Sequence, residues 1–138
     1  MLHDLEEIQE SIQFLSDWED KYSYILELGD SLPGVPQAER RPEYLVEGCQ
    51  SSVWLLTEYD SAEDILSLRM DSDAHIVRGL IAILLSVYSD QSPQDILSFG
   101  ITEFFDELDL LKHLSPIRGN GLRALIQKIR SVASQYHS

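Results

Sequence analysis

A chain of 138 residues, 43% of them hydrophobic, can build one domain around an ordinary core without disulfide or metal staples. Its ten basic and twenty-four acidic side chains give a formal charge of −14, which would repel a phosphate backbone and argues against nucleic acid as a partner. The single cysteine, Cys49, excludes an internal disulfide, a CxxC redox couple and a thiolate-rich zinc or iron–sulfur site.

The opening stretch, MLHDLEEIQE, has four acidic residues and lacks the basic start and apolar run of a secretory signal. Leu5, Ile8, Ile12 and Leu15 recur at helical spacing, so an amphipathic helix is expected from Leu2 to about Leu15. A second is expected from Asp17 to Leu28, with Trp18, Tyr22, Ile25 and Leu26 facing inward and Gly29 ending it. DSLPGVPQAERRPEY holds three of the five prolines and reads as loop. Around the polar DSAED, the runs SSVWLLTEY and DILSLRMD suit an antiparallel hairpin, which a strand through Tyr44 to Val46 could extend, with Trp54 in the core.

From Asp73 to Ser89 the chain is apolar almost all round, as a buried helix requires, with Ser72 as expected N-cap and Asp73 as a first-turn acid. Its most apolar part, Ile76 to Val87, contains Arg78 and is too short to span a bilayer, so a soluble cytoplasmic protein without a membrane partner is expected. SPQDIL marks a short helix capped by Ser92, and TEFFDELDLLKHL another capped by Thr102. SPIRGNG reads as a break with Asn120 as the next cap, followed by a last helix turning Leu122, Leu125, Ile126, Ile129 and Val132 inward. The expectation is one α+β domain over residues 1–138, its helices packed around a small antiparallel sheet.

The chemistry centres on Cys49. Free cysteines are usually buried and inert, but Glu47, Gln50, Ser51 and Ser52 are polar on both sides, and burying them unpaired would cost about 1–3 kcal/mol each. A reactive thiol needs a cation, a histidine or a helix start to favour its thiolate. Arg118, next to the glycine-rich GNG and an expected helix start, is a candidate for that support. His3, His75, His113 and His137 have no metal-ligand spacing, and phosphate-loop and dinucleotide motifs are lacking, so neither a metal nor a bound cofactor is expected. On the residues alone, a cysteine-nucleophile enzyme acting on a small molecule and a protein-binding module with an incidental cysteine both remain open.

Five blocks, WEDKYSYILELG, GCQSSVW, DSDAHIVRGLIA, SPQDI and HLSPIRGNGLRALI, lie in the order and at about the spacings of the SufE-like cysteine desulfuration proteins, and the chain resembles that family from about Leu15 to Tyr136. The resemblance implies a SufE/NifU-like fold and a sulfur acceptor: Cys49 would take persulfide sulfur from a SufS-like or CsdA-like cysteine desulfurase and stimulate that enzyme. The pyridoxal phosphate of the reaction belongs to the desulfurase, and the sulfur passes on to an iron–sulfur scaffold complex. The branch suggested by CQSSVW and SPQDI is the one serving the SUF system, and the acceptor could be a monomer or a homodimer. Arg118 matches the family's characteristic arginine as a supporting residue. Persulfide transfer is chemistry that one thiol suffices for. Arg40 and Arg41, close to the cysteine in sequence, are expected to matter more for docking than Lys128 and Arg130.

Overall fold

The structure is a computed structural model and describes residues 5–48 and 51–136. In chain order it contains α1 (Leu5–Phe14), α2 (Trp18–Asp30), β1 (Val53–Asp60), β2 (Ile65–Ser72), α3 (His75–Tyr88), α4 (Pro93–Ser98), α5 (Ile101–Glu107) and α6 (Pro116–Tyr136). The mix of helices and one antiparallel hairpin is the expected α+β class.

β1 and β2 pair in register from Val53 opposite Ser72 to Asp60 opposite Ile65. Alternation turns Val53, Leu55, Leu66, Leu68 and Met70 into the core. Leu45 makes only an isolated bridge to Trp54, so a third strand does not form among the described residues. Trp54 is half-buried beneath the Arg40 guanidinium, 4.8 Å from its ring centroid, and not in the core.

α3 is the central helix: Ile76, Leu80, Ile81, Ile83 and Leu84 are all buried, and it packs against α1, α2 and β2. Its contact with α2 depends on a pair of glycines. A Cβ on Gly29 would lie 2.8 Å from the Gly79 nitrogen, and one on Gly79 would lie 2.8 Å from the Ile25 carbonyl carbon. Gly29 therefore serves close approach and does not stop the helix, which runs on to Asp30. The inner face of α2 is Lys21, Ile25, Leu28 and Gly29; Tyr22 is exposed and Trp18 half-buried, stacked 4.7 Å from the His113 ring. Lys21 is tolerated inside because its Nζ donates to the Leu108 carbonyl at 3.0 Å.

Three expected helix starts differ. Ser72 is the last residue of β2 and Asp73 lies outside the helix, because both are engaged with Ser52. α5 begins at Ile101 after Gly100, leaving Thr102 inside its first turn, and ends at Glu107. α6 begins at Pro116, so SPIRGNG is helix rather than break. The Ser115 hydroxyl accepts from the Arg118 N–H at 3.3 Å, the same serine–proline start that Ser92 and Pro93 give α4. The far end of α6 returns to the hairpin, where Tyr136 stacks on Tyr59 at 4.4 Å.

Candidate functional site

Cys49 lies outside the described residues, and its setting is defined by the chain on either side. Val46 N–H donates to the Val53 carbonyl at 2.9 Å and Leu45 bridges Trp54, so the described chain before and after Cys49 meets at the mouth of the hairpin. On one side of the cysteine, Gly48 has φ +90°, a conformation that glycine adopts without strain, and a Cβ there would lie 3.0 Å from the Ala124 Cβ on α6. On the other side, Ser51 borders a cavity of about 300 Å³.

That cavity lies between the start of β1, α3 and the first turns of α6. Its walls include the apolar Val53, Leu80, Ile81, Leu122 and Leu125, and its rim carries Ser51, Ser115 and Arg118. Ile117, 57% exposed, stands beside Arg118 on the same rim. Arg118 is exposed, and among the described residues it has no carboxylate within ion-pairing distance. The helix start that brings it there is at Pro116, with Asn120 inside the helix and not at its cap. The arrangement offers a cation and an apolar lining to the same space, which suits a polarizable, singly charged group such as a thiolate or persulfide.

The end of β2 holds both approaches to the loop. Asp71, 1% exposed, accepts from the Val35 N–H at 2.9 Å, from Arg40 Nη2 at 2.8 Å, and faces Arg78 Nη1 at 3.1 Å. Ser72 Oγ donates to the Ser52 carbonyl at 2.7 Å, and Asp73 Oδ1 accepts from the Ser52 N–H at 3.2 Å. Two residues before Asp71, Arg69 grips Glu39 through both terminal guanidinium nitrogens, Nη1 and Nη2, and this hydrogen bonding holds the Glu39 carboxyl below its ordinary pKa. The proline-rich segment and Ser52 are thus both tied to the strand end, leaving the cysteine between two anchored flanks.

Arg40 does not stand free for docking, since it is committed to Asp71, the Val35 carbonyl and the Trp54 face. Arg41 is exposed and pairs loosely with Glu43 at 3.6 Å. Asp71 opens the DSDAHIVRGLIA block, but its anchoring role is not readable there: an aspartate on the outward side of a strand is ordinary until a distant loop folds over it. The Ser115–Pro116 start did have a sequence signal, in its likeness to Ser92–Pro93. Among the described residues, no three histidine, aspartate or glutamate side chains converge to hold a metal ion, and no helix is long and apolar enough to cross a membrane.

Comparison with known proteins adds three findings. The model of the SufE family, described as an Fe-S metabolism associated domain, matches residues 6–133. An uncharacterized SufE-like protein of Rhizobium meliloti (strain 1021) is 42% identical over 131 residues, 94% of either chain, and one of Rhizobium etli is 44% identical over 131 residues, 94% of this chain and 88% of its own. The solution structure of a hypothetical protein from Thermus thermophilus superposes with a TM-score of 0.75 at 19% identity, covering 96% of this chain and 94% of the other, and so shares the fold.

Proposed function

Since this chain belongs to the SufE family, whose domain is associated with Fe-S metabolism, we propose that it is a sulfur acceptor that takes sulfane sulfur from a cysteine desulfurase onto Cys49 and passes it on for iron–sulfur cluster assembly. The observation that supports the reading is the setting of the two described flanks of Cys49: Gly48 lies against Ala124 on α6, and Ser51 lines the apolar cavity that Arg118 also lines. Covalent geometry keeps the Cys49 Cα about 3.8 Å from that of Gly48, whose own position is against Ala124 on α6, the helix that also lends Arg118, Leu122 and Leu125 to the cavity.

The Cys49 thiolate attacks the outer sulfur of the desulfurase persulfide. A new S–S bond forms to Cys49, the old S–S bond breaks, and the desulfurase cysteine leaves as thiolate. The transferred sulfur keeps its oxidation level, so no external oxidant or reductant enters. Arg118 favours the anionic form of the thiol before transfer and of the persulfide after it. The apolar walls shelter the persulfide from water and from other thiols. Gly48 gives the loop the backbone freedom to present the cysteine and withdraw it. The pyridoxal phosphate that releases sulfur from free cysteine stays with the partner, in the cytoplasm.

The test is intact mass spectrometry after incubation with a pyridoxal-phosphate cysteine desulfurase and cysteine. The expected result is a gain of one sulfur or more that a reductant removes and that Cys49→Ser abolishes, together with faster desulfurase turnover with the parent only. Unchanged mass under turnover would refute the acceptor reading.

A further inference from the structure

The basic residues of this acidic chain are unevenly placed. Four of the ten, Arg118, Arg123, Lys128 and Arg130, lie on α6, and none of the twenty-four acidic residues does. Elsewhere cations are satisfied locally: Arg40 and Arg78 by Asp71, Arg41 by Glu43, Arg69 by Glu39, Lys112 by Asp109, and Lys21 by a buried carbonyl. Among the described residues, none of the four on α6 lies within ion-pairing distance of a carboxylate.

Arg123 and Arg130 are seven positions apart, two helical turns, which separates them by about 10 Å along the axis on one side of α6. They border a second cavity of about 410 Å³, formed with the start of α5 and floored by Phe99, Phe105 and Ile126. Each guanidinium is steadied by a neutral acceptor: Arg130 Nη1 donates to the Leu97 carbonyl at 3.0 Å and Arg123 Nη1 to Asn120 Oδ1 at 3.4 Å. Both therefore keep their full charge and further N–H donors for a ligand. The one carboxylate on the wall, Glu103, turns back over Gly100, where a Cβ would lie 2.7 Å from Oε2, and not toward the arginines.

We propose that the groove between α5 and α6 binds an acidic peptide segment of a partner protein, with carboxylates about 10 Å apart on Arg123 and Arg130 and an apolar side chain between them on Phe99 and Ile126. The apolar floor demands hydrocarbon from the ligand, which a bare anion lacks. A second copy of this chain would bring another −14 with it, and long-range repulsion opposes that association. The site lies beyond the sulfur-acceptor reading and does not involve Cys49.

The probe is a short fluorescein-labelled peptide of glutamates interrupted by a phenylalanine and a leucine, titrated by fluorescence anisotropy at fixed salt. Binding is expected for this peptide, and much weaker binding for versions with glutamine replacing glutamate or serine replacing the apolar pair. Arg123→Glu, an exposed change, should weaken binding about tenfold, while Arg41→Glu on the distant loop changes it by less than about twofold. Sedimentation and phosphate competition identify other occupants. The proposal is overturned by no binding, by equal effects of the two variants, by full displacement with inorganic phosphate at equal ionic strength, or by a dimer that Arg123→Glu dissolves.

Discussion

Replacing Asp71 tests whether the end of β2 anchors the segment leading to Cys49. The side chain is 2% exposed and lies 2.8 Å from Arg40 and 3.1 Å from Arg78, and it also accepts the Val35 N–H. Asp71→Ala leaves two cations facing each other with no anion between them. Breaking a buried pair from one side costs about 3–5 kcal/mol, because the remaining charge stays desolvated. The two arginines keep 22% and 26% exposure, so water relieves part of that and the cost falls at the lower end, about 3 kcal/mol. For a domain of this size each kcal/mol lowers the Tm by about 3–5 °C, which places the loss at about 10–15 °C. Urea unfolding and thermal circular dichroism measure it. Arg69→Ala is the comparison: its pair with Glu39 is 51% and 43% exposed, and its loss should cost less than about 1 kcal/mol. If Asp71→Ala costs no more than Arg69→Ala, the buried anion does not anchor the loop and the argument built on it fails.

Gly79→Ala should destabilise by about 3 kcal/mol or more, read from urea midpoints, because its methyl group would meet the Ile25 backbone and force α2 and α3 apart. Arg118→Ala should change stability by less than about 0.5 kcal/mol yet slow sulfur loading of Cys49 about tenfold, with Arg118→Lys recovering part, since the side chain is exposed and makes no ion pair among the described residues. A Cys49 alkylation rate with the same pH dependence in parent and alanine variant would contradict the proposed electrostatic role. Tyr88 is fully buried, its hydroxyl makes no hydrogen bond of good geometry among the described residues, and burial raises its pKa, partly offset by the Arg130 guanidinium close by, whose charge and loose contact favour the phenolate. The neutral phenol is thus favoured in the folded state, so its contribution is intact below the unfolded value of about 10 and is lost as the pH rises above it. Tyr88→Phe should leave stability at pH 7 within about 1 kcal/mol of the parent, or higher, and reduce the loss on going to pH 11; an equal alkaline loss in both would show that Tyr88 is not its source.

Much of this architecture is written locally. The periodicity of Ile8 and Ile12, the alternation through Val53–Leu55 and Leu66–Met70, the all-apolar α3 and the Ser92–Pro93 start each report forces between residues a few positions apart, and the α+β class follows from them. The single cysteine and its polar neighbours were equally legible as a chemical question, and the five family blocks supplied the answer now proposed. Only the tertiary structure decided the roles that depend on distant neighbours. Gly29 has the local look of a helix stop, and it is Gly79, fifty positions away, that makes it a contact residue. Arg40 looks like a docking cation until Asp71 takes it. Arg118 and its glycines look like a break, but Ser115 caps them into α6, and the packing of α6 against the hairpin mouth gives the arginine a cavity to face. The physical reason is common to all three: propensity and capping act through the backbone nearby, whereas close approach, ion pairing and cavity formation exist only between segments that folding brings together.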